Sequence, residues 1–157
     1  MCRSHAIHME FGCEPANESF TRMAVAAYAS RMNPTLEELA DIKTAVSEAV
    51  TNSILHGYYK MPEGRIELIC NITGEILEVS VIDHGIGIED IKKAMEPMYT
   101  TRPELERSGM GFAFMEAFMD KITVDSTPGQ GTTVKMYKKI SKEKNKYDNV
   151  DELIGSD

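Results

Sequence analysis

The chain has 157 residues, the size of one ordinary domain with a single core, and 42% of them are hydrophobic, which excludes a disordered chain. The formal net charge of −8 repels phosphate backbones, so we expect no direct binding to nucleic acid. No apolar run approaches the roughly 20 residues that span a bilayer, and the N-terminus lacks the apolar core of a signal peptide. We therefore expect a cytoplasmic protein without a membrane partner.

The first part of the chain predicts one strand and two helices. The segment HMEFGCEP indicates a short edge strand that ends at Pro15. The segment ANESFTRMAVAAYASRM then has a helical period, with Asn17 as its expected N-cap. A longer helix follows, in which Thr35 and Glu38 have the spacing of a capping box and Gly57 is placed to end the helix.

The rest of the chain predicts four strands and two short helices. GRIELICNIT and EILEVSVID alternate like an antiparallel pair around Gly74, and KITVDST and GTTVKMYKKI form a second pair. Between the pairs, IEDIKKAMEP predicts a short helix, MYTTRPELERS a loop, and GMGFAFMEAFMD a helix begun by glycines. This order predicts an α+β fold, a two-layer α/β sandwich with a mostly antiparallel sheet and helices on one face. We expect residues 7–140 to form the domain, with a mobile leader (1–6) and a mobile charged tail (141–157).

Two polar features stand out from this pattern. Glu48 and Asn52 lie one turn apart on the long helix, at the margin of its apolar stripe, a spacing that is by itself typical of a solvated edge. The turn DHGIG directly follows a strand, and its Asp83 can accept a hydrogen bond from an amino group such as that of adenine. Gly85 and Gly87 allow the backbone to approach a ligand closely, although an ordinary strand-to-helix turn has the same composition.

Two glycine-rich segments follow. SGMGFAF opens a helix, and bare N–H groups at such a start form an anion site suited to phosphates. PGQGTT places Gly129 and Gly131 in a hairpin turn, followed by the hydroxyl of Thr132. The sequence has no P-loop pattern, no G-x-G-x-x-G and no protein-kinase H-R-D or D-F-G motif, which argues against those nucleotide folds.

In this order, E-x-x-x-N, D-x-G-x-G, G-x-G and G-x-G-T resemble the motif set of the GHKL (Bergerat-type) ATPases and kinases. Within that superfamily, IKTAVSEAVTNSILHGY and YTTRPELERSGMGFAFMEAFMD are similar to the anti-sigma F factors of spore-forming bacteria (SpoIIAB type), which are serine protein kinases. The similarity covers roughly residues 7–140. The alternatives are an RsbW-type kinase acting on a stress sigma factor, a nucleotide-gated sigma-binding module without turnover, and a plain ATPase or detached histidine-kinase domain.

The resemblance implies a function and its partners. It implies a homodimer that sequesters a sporulation sigma factor and uses Mg-ATP to phosphorylate a serine of an anti-anti-sigma protein. ATP or ADP and Mg²⁺ are the implied ligands. Arg22, on the first long helix, matches a family position that contacts partner proteins.

The resemblance also implies roles for individual residues. Glu48 matches the general base and Asn52 the Mg²⁺ ligand, while Asp83 matches the reader of the adenine amino group. Gly85 and Gly87 would let the backbone turn beneath the base.

The remaining implied contacts lie in the second half of the chain. The segment from about residue 88 to 108 would form a lid over ATP, and its Arg107 would contact the γ-phosphate or the docked substrate. Gly109 and Gly111 would place helix N–H groups on the phosphates, and Thr132 would lie near the adenine. The other implied nucleotide contacts are Thr101, Ser108 and Met110.

Overall fold

The computed structural model describes residues 6–96 and 111–140. The strands are β1 (Ile7–Gly12), β2 (Arg65–Thr73), β3 (Ile76–Asp83), β4 (Lys121–Thr127) and β5 (Gly131–Lys139). The helices are α1 (Ala16–Ala29), α2 (Leu36–Asn52), α3 (Ile91–Ala94) and α4 (Gly111–Phe118), with a 3₁₀ turn at Ser30–Met32. The predicted order of elements is confirmed. The loop predicted from MYTTRPELERS and the tail after residue 140 lie outside the described residues, and the proposed domain boundaries stay predictions.

The five strands form one antiparallel sheet in the order β1-β2-β3-β5-β4. α2 packs on the sheet through Ile42, Val46 and Ala49, as its apolar stripe predicts. The sheet contributes alternate residues of its three central strands, which are Ile66, Leu68, Cys70, Leu77, Val79, Val81, Val134 and Met136. This two-layer packing confirms the predicted fold class. No described helix is long and apolar enough to cross a membrane.

The two long helices begin differently. The capping box of α2 is confirmed, because Glu38 N–H donates to Thr35 Oγ1 (3.1 Å) and Thr35 N–H donates to Glu38 Oε1 (2.9 Å). The prediction of Asn17 as the cap of α1 is wrong: Pro15 holds the N-cap position, and Asn17 lies inside the helix. The Asn17 amide instead donates to the carbonyl of Gly12 (2.9 Å) and ties α1 to the end of β1.

The end of α2 has a feature that the sequence does not predict. The helical run ends at Gly57, as expected, but its last turn, Ser53–Gly57, is a π turn closed by Tyr58 N–H on the Ser53 carbonyl (2.9 Å). A π turn inserts one extra residue and is frequent at functional sites. Here it brings Ser53 and Gly57 against the C-terminal end of β3.

Candidate functional site

A cleft of about 580 Å³ opens between the end of α2, the end of β3 and the start of α4. Its volume is that of a small-molecule site. The cleft is lined by Asn52, Ser53, His56, Gly57, Asp83, Ile86, Gly87, Lys93, Gly111, Phe112, Thr132 and Val134, among others. Residues predicted from all four motifs therefore meet in one cavity, although they come from distant parts of the chain.

Asp83, the last residue of β3, forms one end of the cleft. The residue is only 4% exposed. Its Oδ2 accepts a hydrogen bond from Ser53 Oγ (2.9 Å), and its Oδ1 accepts one from Gly85 N–H (3.0 Å). Burial raises the pKa of the Asp83 carboxyl, while these hydrogen bonds act in the opposite direction. The result is a fixed carboxyl with lone pairs left to accept from a ligand amino group.

The backbone around Asp83 is packed too closely for side chains. A methyl group on Gly85 would lie 1.9 Å from the Gly57 carbonyl oxygen, which already accepts a hydrogen bond from Ile86 N–H (2.9 Å). Gly87 has φ +74°, and a methyl group there would lie 2.3 Å from the Thr127 oxygen. Gly87 lines the cleft, whereas Gly85 is buried beside it against Gly57.

Thr132 lies beside Asp83 because the two residues are partners in the register of β3 and β5. Its Oγ1 is 2.8 Å from Ser126 Oγ, which also accepts a hydrogen bond from Ile88 N–H (2.8 Å). Gly131 makes this approach possible, since it has φ +109° and a methyl group on it would lie 2.0 Å from the Asp83 carbonyl oxygen. The glycines of PGQGTT thus serve close strand packing as well as the turn.

Glu48 and Asn52 face the start of α4 at the other end of the cleft. A methyl group on Gly111 would lie 3.1 Å from Asn52 Nδ2 and 3.4 Å from Glu48 Oε2. Asn52 lines the cleft, and Glu48 lies one turn earlier on α2 beside the same glycine. The two polar side chains therefore lie against Gly111, and a phosphate site at this helix start stays a prediction.

The other predicted site residues lie elsewhere. Thr101, Arg107, Ser108, Gly109 and Met110 lie outside the described residues, so their roles stay predictions. Arg22 is on α1, away from the cleft lining, with its guanidinium 3.6 Å from Glu18 Oε1. Because the same Glu18 oxygen accepts a hydrogen bond from Ser47, Arg22 is linked to the helix that carries Glu48.

Sequence analysis missed Ser53 and Ser126, which hold Asp83 and Thr132. A signal for Ser53 exists: it follows Val46 and Val50 by seven and three positions, so it continues the apolar stripe of α2. A polar residue in such a stripe needs a buried hydrogen-bond partner, and here the partner is Asp83. The described residues contain no group of three or more His, Cys, Asp or Glu side chains arranged to hold a metal ion.

Comparison with solved structures agrees with the fold. The RsbU and RsbW domains of a Mycobacterium tuberculosis protein superpose with a TM-score of 0.63 at 20% identity, covering 88% of this chain and 33% of that one. The catalytic domain of histidine kinase ThkA gives a TM-score of 0.55 at 17% identity, covering 85% of this chain and 96% of that one. At these identities the likeness concerns the fold alone.

Comparison with sequences is more specific. Residues 12–138 match the family model of the histidine kinase-like ATPase domain. The anti-sigma F factor of Clostridium novyi is 55% identical over 132 residues, which cover 84% of this chain and 92% of that protein. The anti-sigma F factor of Bacillus subtilis is 46% identical over 138 residues, which cover 88% and 94%. The chain therefore belongs to the anti-sigma F factor family, which is built on a histidine kinase-like ATPase domain.

Proposed function

We propose that this protein binds Mg-ATP and transfers the γ-phosphate to a serine of an anti-anti-sigma protein, and that it sequesters a sporulation sigma factor in the cytoplasm. The observation that carries the proposal is a single cleft with a fixed, buried carboxyl at one end and Asn52 at the other, where Glu48 lies beside the same glycine as Asn52. Such a cleft has one place for a nucleobase and another for a polyphosphate. The family to which the chain belongs supports the choice of partners.

At the first end, Asp83 reads the adenine. The exocyclic amino group of adenine donates a hydrogen bond, whereas guanine presents a carbonyl oxygen at the equivalent position. An ionised carboxylate accepts from the former and repels the latter, so the site prefers ATP over GTP. Ser53 and Gly85 already hold both oxygens of Asp83 in place, so little freedom is lost when the base binds.

At the second end, Asn52 would hold the Mg²⁺ that accompanies the triphosphate. Mg²⁺ prefers oxygen ligands and is usually held by few protein groups together with phosphates and water, so one amide oxygen suits it and a larger protein cluster is not required. The ion supplies neutralisation of the phosphate charge. The α4 start at Gly111 lies against Asn52, so its backbone N–H groups can receive phosphate oxygens.

Glu48 orients the serine hydroxyl of the partner protein. The serine oxygen forms a bond to the γ-phosphorus, the bond from that phosphorus to the oxygen of ADP breaks, and the hydroxyl proton passes to the Glu48 carboxylate. In a loose transition state, orientation of the hydroxyl contributes as much as removal of its proton. Arg107 neutralises charge on the transferred group.

Arg22 marks the face that contacts partner proteins. On the same helix, Phe20 is 65% exposed and Met23 is 58% exposed, which is unusual for large apolar side chains. Exposed aromatic, methionine and arginine side chains together are typical of protein interfaces. The net charge of −8 would also steer a partner with a basic surface. A homodimer, as the family resemblance implies, is part of this proposal.

The decisive experiment is transfer of labelled γ-phosphate from Mg-ATP to the matching anti-anti-sigma protein, for wild type and for Glu48→Gln. We expect kcat to fall about 10²- to 10³-fold in the variant, with little change in the Kd for ATP. The matched control is Glu37→Gln, in the first turn of the same helix, which we expect to transfer phosphate normally.

Two outcomes would contradict the proposal in different ways. If Glu48→Gln transfers phosphate as fast as wild type, Glu48 is not the base. If wild type binds ATP but labels no partner serine, the protein is a nucleotide-gated sigma-binding module instead. Normal sequestration of sigma factor by Glu48→Gln would show that the two activities are separable.

A further inference from the structure

We propose that the buried hydroxyl of Tyr58 is a positioning group that aims Asp83 at the adenine. The inference rests on the role proposed above for Asp83. It is carried by the hydrogen bonds of Tyr58, which connect the turn after β3 to the start of β2.

The Tyr58 hydroxyl joins three segments of the chain. It accepts a hydrogen bond from His84 N–H (2.7 Å) and donates one to the carbonyl of Arg65, the first residue of β2. The His84 N–H belongs to the peptide that directly follows Asp83, so the hydroxyl fixes that peptide. Next to Tyr58, the carbonyl of Gly57 accepts a hydrogen bond from Ile86 N–H (2.9 Å). Two consecutive residues, Gly57 and Tyr58, therefore accept hydrogen bonds from the turn at 83–86.

The ring of Tyr58 is fixed as firmly as its hydroxyl. The residue is 5% exposed, and a methyl group on Gly64 would lie 2.4 Å from the ring, so only glycine allows this packing. Burial raises the pKa of the Tyr58 hydroxyl, which therefore keeps its proton, and with it the bond to Arg65, throughout the neutral range. A phenylalanine ring fits the same space but can neither accept from His84 nor donate to Arg65.

The test is equilibrium binding of Mg-ATP and Mg-GTP by calorimetry to Tyr58→Phe, together with kcat for phosphoryl transfer. We expect the Kd for Mg-ATP to rise about fivefold and the preference for ATP over GTP to fall by the same factor, because the hydrogen bond between Asp83 and the adenine is weakened. The kcat at saturating ATP stays unchanged, because Glu48 and Asn52 lie beside Gly111 and not at the turn that Tyr58 holds.

The matched control is Tyr28→Phe. Tyr28 is 4% exposed, and its hydroxyl meets the backbone of Ile72 near the far end of β2, away from the cleft lining. We expect a similar loss of melting temperature in both variants but an unchanged nucleotide preference in Tyr28→Phe. A second variant, Gly64→Ala, keeps the hydroxyl and displaces the ring, so it reproduces the loss of preference even where Tyr58→Phe does not fold.

An unchanged ATP-to-GTP ratio in Tyr58→Phe, or an equal change in Tyr28→Phe, would overturn the inference. Because binding is measured without phosphoryl transfer, this result is independent of the kinase proposal. Wild type that binds ATP without labelling the partner contradicts the kinase alone, and the binding ratios still decide the role of Tyr58. Wild type that binds no ATP contradicts both.

Discussion

The two ends of the cleft are built from different kinds of contact. At the Asp83 end, backbone meets backbone: a methyl group on Gly85 would lie 1.9 Å from one carbonyl oxygen, and one on Gly131 would lie 2.0 Å from another. At the Glu48 end, the nearest atoms to a methyl group on Gly111 would be side-chain atoms of Asn52 and Glu48, at 3.1 to 3.4 Å. Backbone contacts cannot relax by a change of rotamer, whereas side chains can. The first end is therefore rigid and the second adjustable.

This difference matches the work proposed for each end. Selection of a base needs an acceptor that is fixed before the ligand arrives, and Asp83 is 4% exposed with a donor on each oxygen. At the other end, Glu48 and Asn52 are half-buried side chains on a helix edge, which can shift without a change in the backbone. Nucleotide preference and catalytic rate should thus respond to different substitutions.

The largest effect is expected for Gly85→Ala, at the rigid end. The new methyl group would overlap the Gly57 carbonyl oxygen at 1.9 Å, so the turn after β3 and the π turn must separate. We expect the free energy of unfolding to fall by about 3 kcal/mol or more and ATP binding to be lost. Urea denaturation measures the first effect and calorimetry the second. The control is Gly12→Ala, where a methyl group would have no neighbour within 4 Å. Equal stability of the two variants would show that the Asp83 end is not rigid.

A smaller effect, on rate rather than stability, is expected for Gly111→Ala at the adjustable end. Asn52 and Glu48 can move by a few tenths of an ångström to admit the methyl group, and alanine favours the helix. We expect an unchanged or slightly higher melting temperature but a kcat about tenfold lower, because small displacements of reacting groups are costly. A variant that loses stability and keeps its kcat would show that this end is rigid as well.

Sequence predicted the elements well because their signals are local. The alternation of β2 and β3, the stripe of α2 and the Thr35–Glu38 capping box each depend on spacing within one element. The predicted Asn17 cap was wrong because cap preference alone does not decide between neighbouring positions, and Pro15 suits the start of a helix as well.

The cleft was predictable only as a set of motifs in order. Nothing local distinguishes the π turn at Ser53–Gly57 from an ordinary helix end, because its geometry depends on packing against Asp83 and Gly85. For the same reason, only the structure shows the hydrogen bond from Ser53 to Asp83, which joins residues 30 positions apart, and the hydrogen bonds of the Tyr58 hydroxyl. Sequence thus identified residues that line the cleft better than the residues that hold them in place.

The smallest effect on ATP affinity is expected for Ser53→Ala, and it can be measured from the pH dependence of binding. Burial raises the pKa of Asp83, and the bond from Ser53 partly opposes that rise, so its removal should raise the pKa further. ATP binding needs the ionised carboxylate. We therefore expect affinity to decline as pH falls through the pKa of Asp83, and to decline at a higher pH in Ser53→Ala. Near neutral pH, we expect Ser53→Ala to bind ATP about threefold more weakly than wild type.

Stability should respond to pH in the opposite direction, which separates the two readouts. A carboxyl whose pKa is raised by folding contributes stability that is complete below its unfolded pKa and is lost as pH rises through its folded pKa. As pH falls from above the folded pKa of Asp83 to below its unfolded pKa, the contribution of Asp83 to the stability of the fold therefore rises. ATP binding weakens over the same range. Calorimetric titration with Mg-ATP at a series of pH values, for wild type, Ser53→Ala and Asp83→Asn, measures the binding side. Asp83→Asn should lack the acid-dependent decline, and a decline that persists there would assign it to another group.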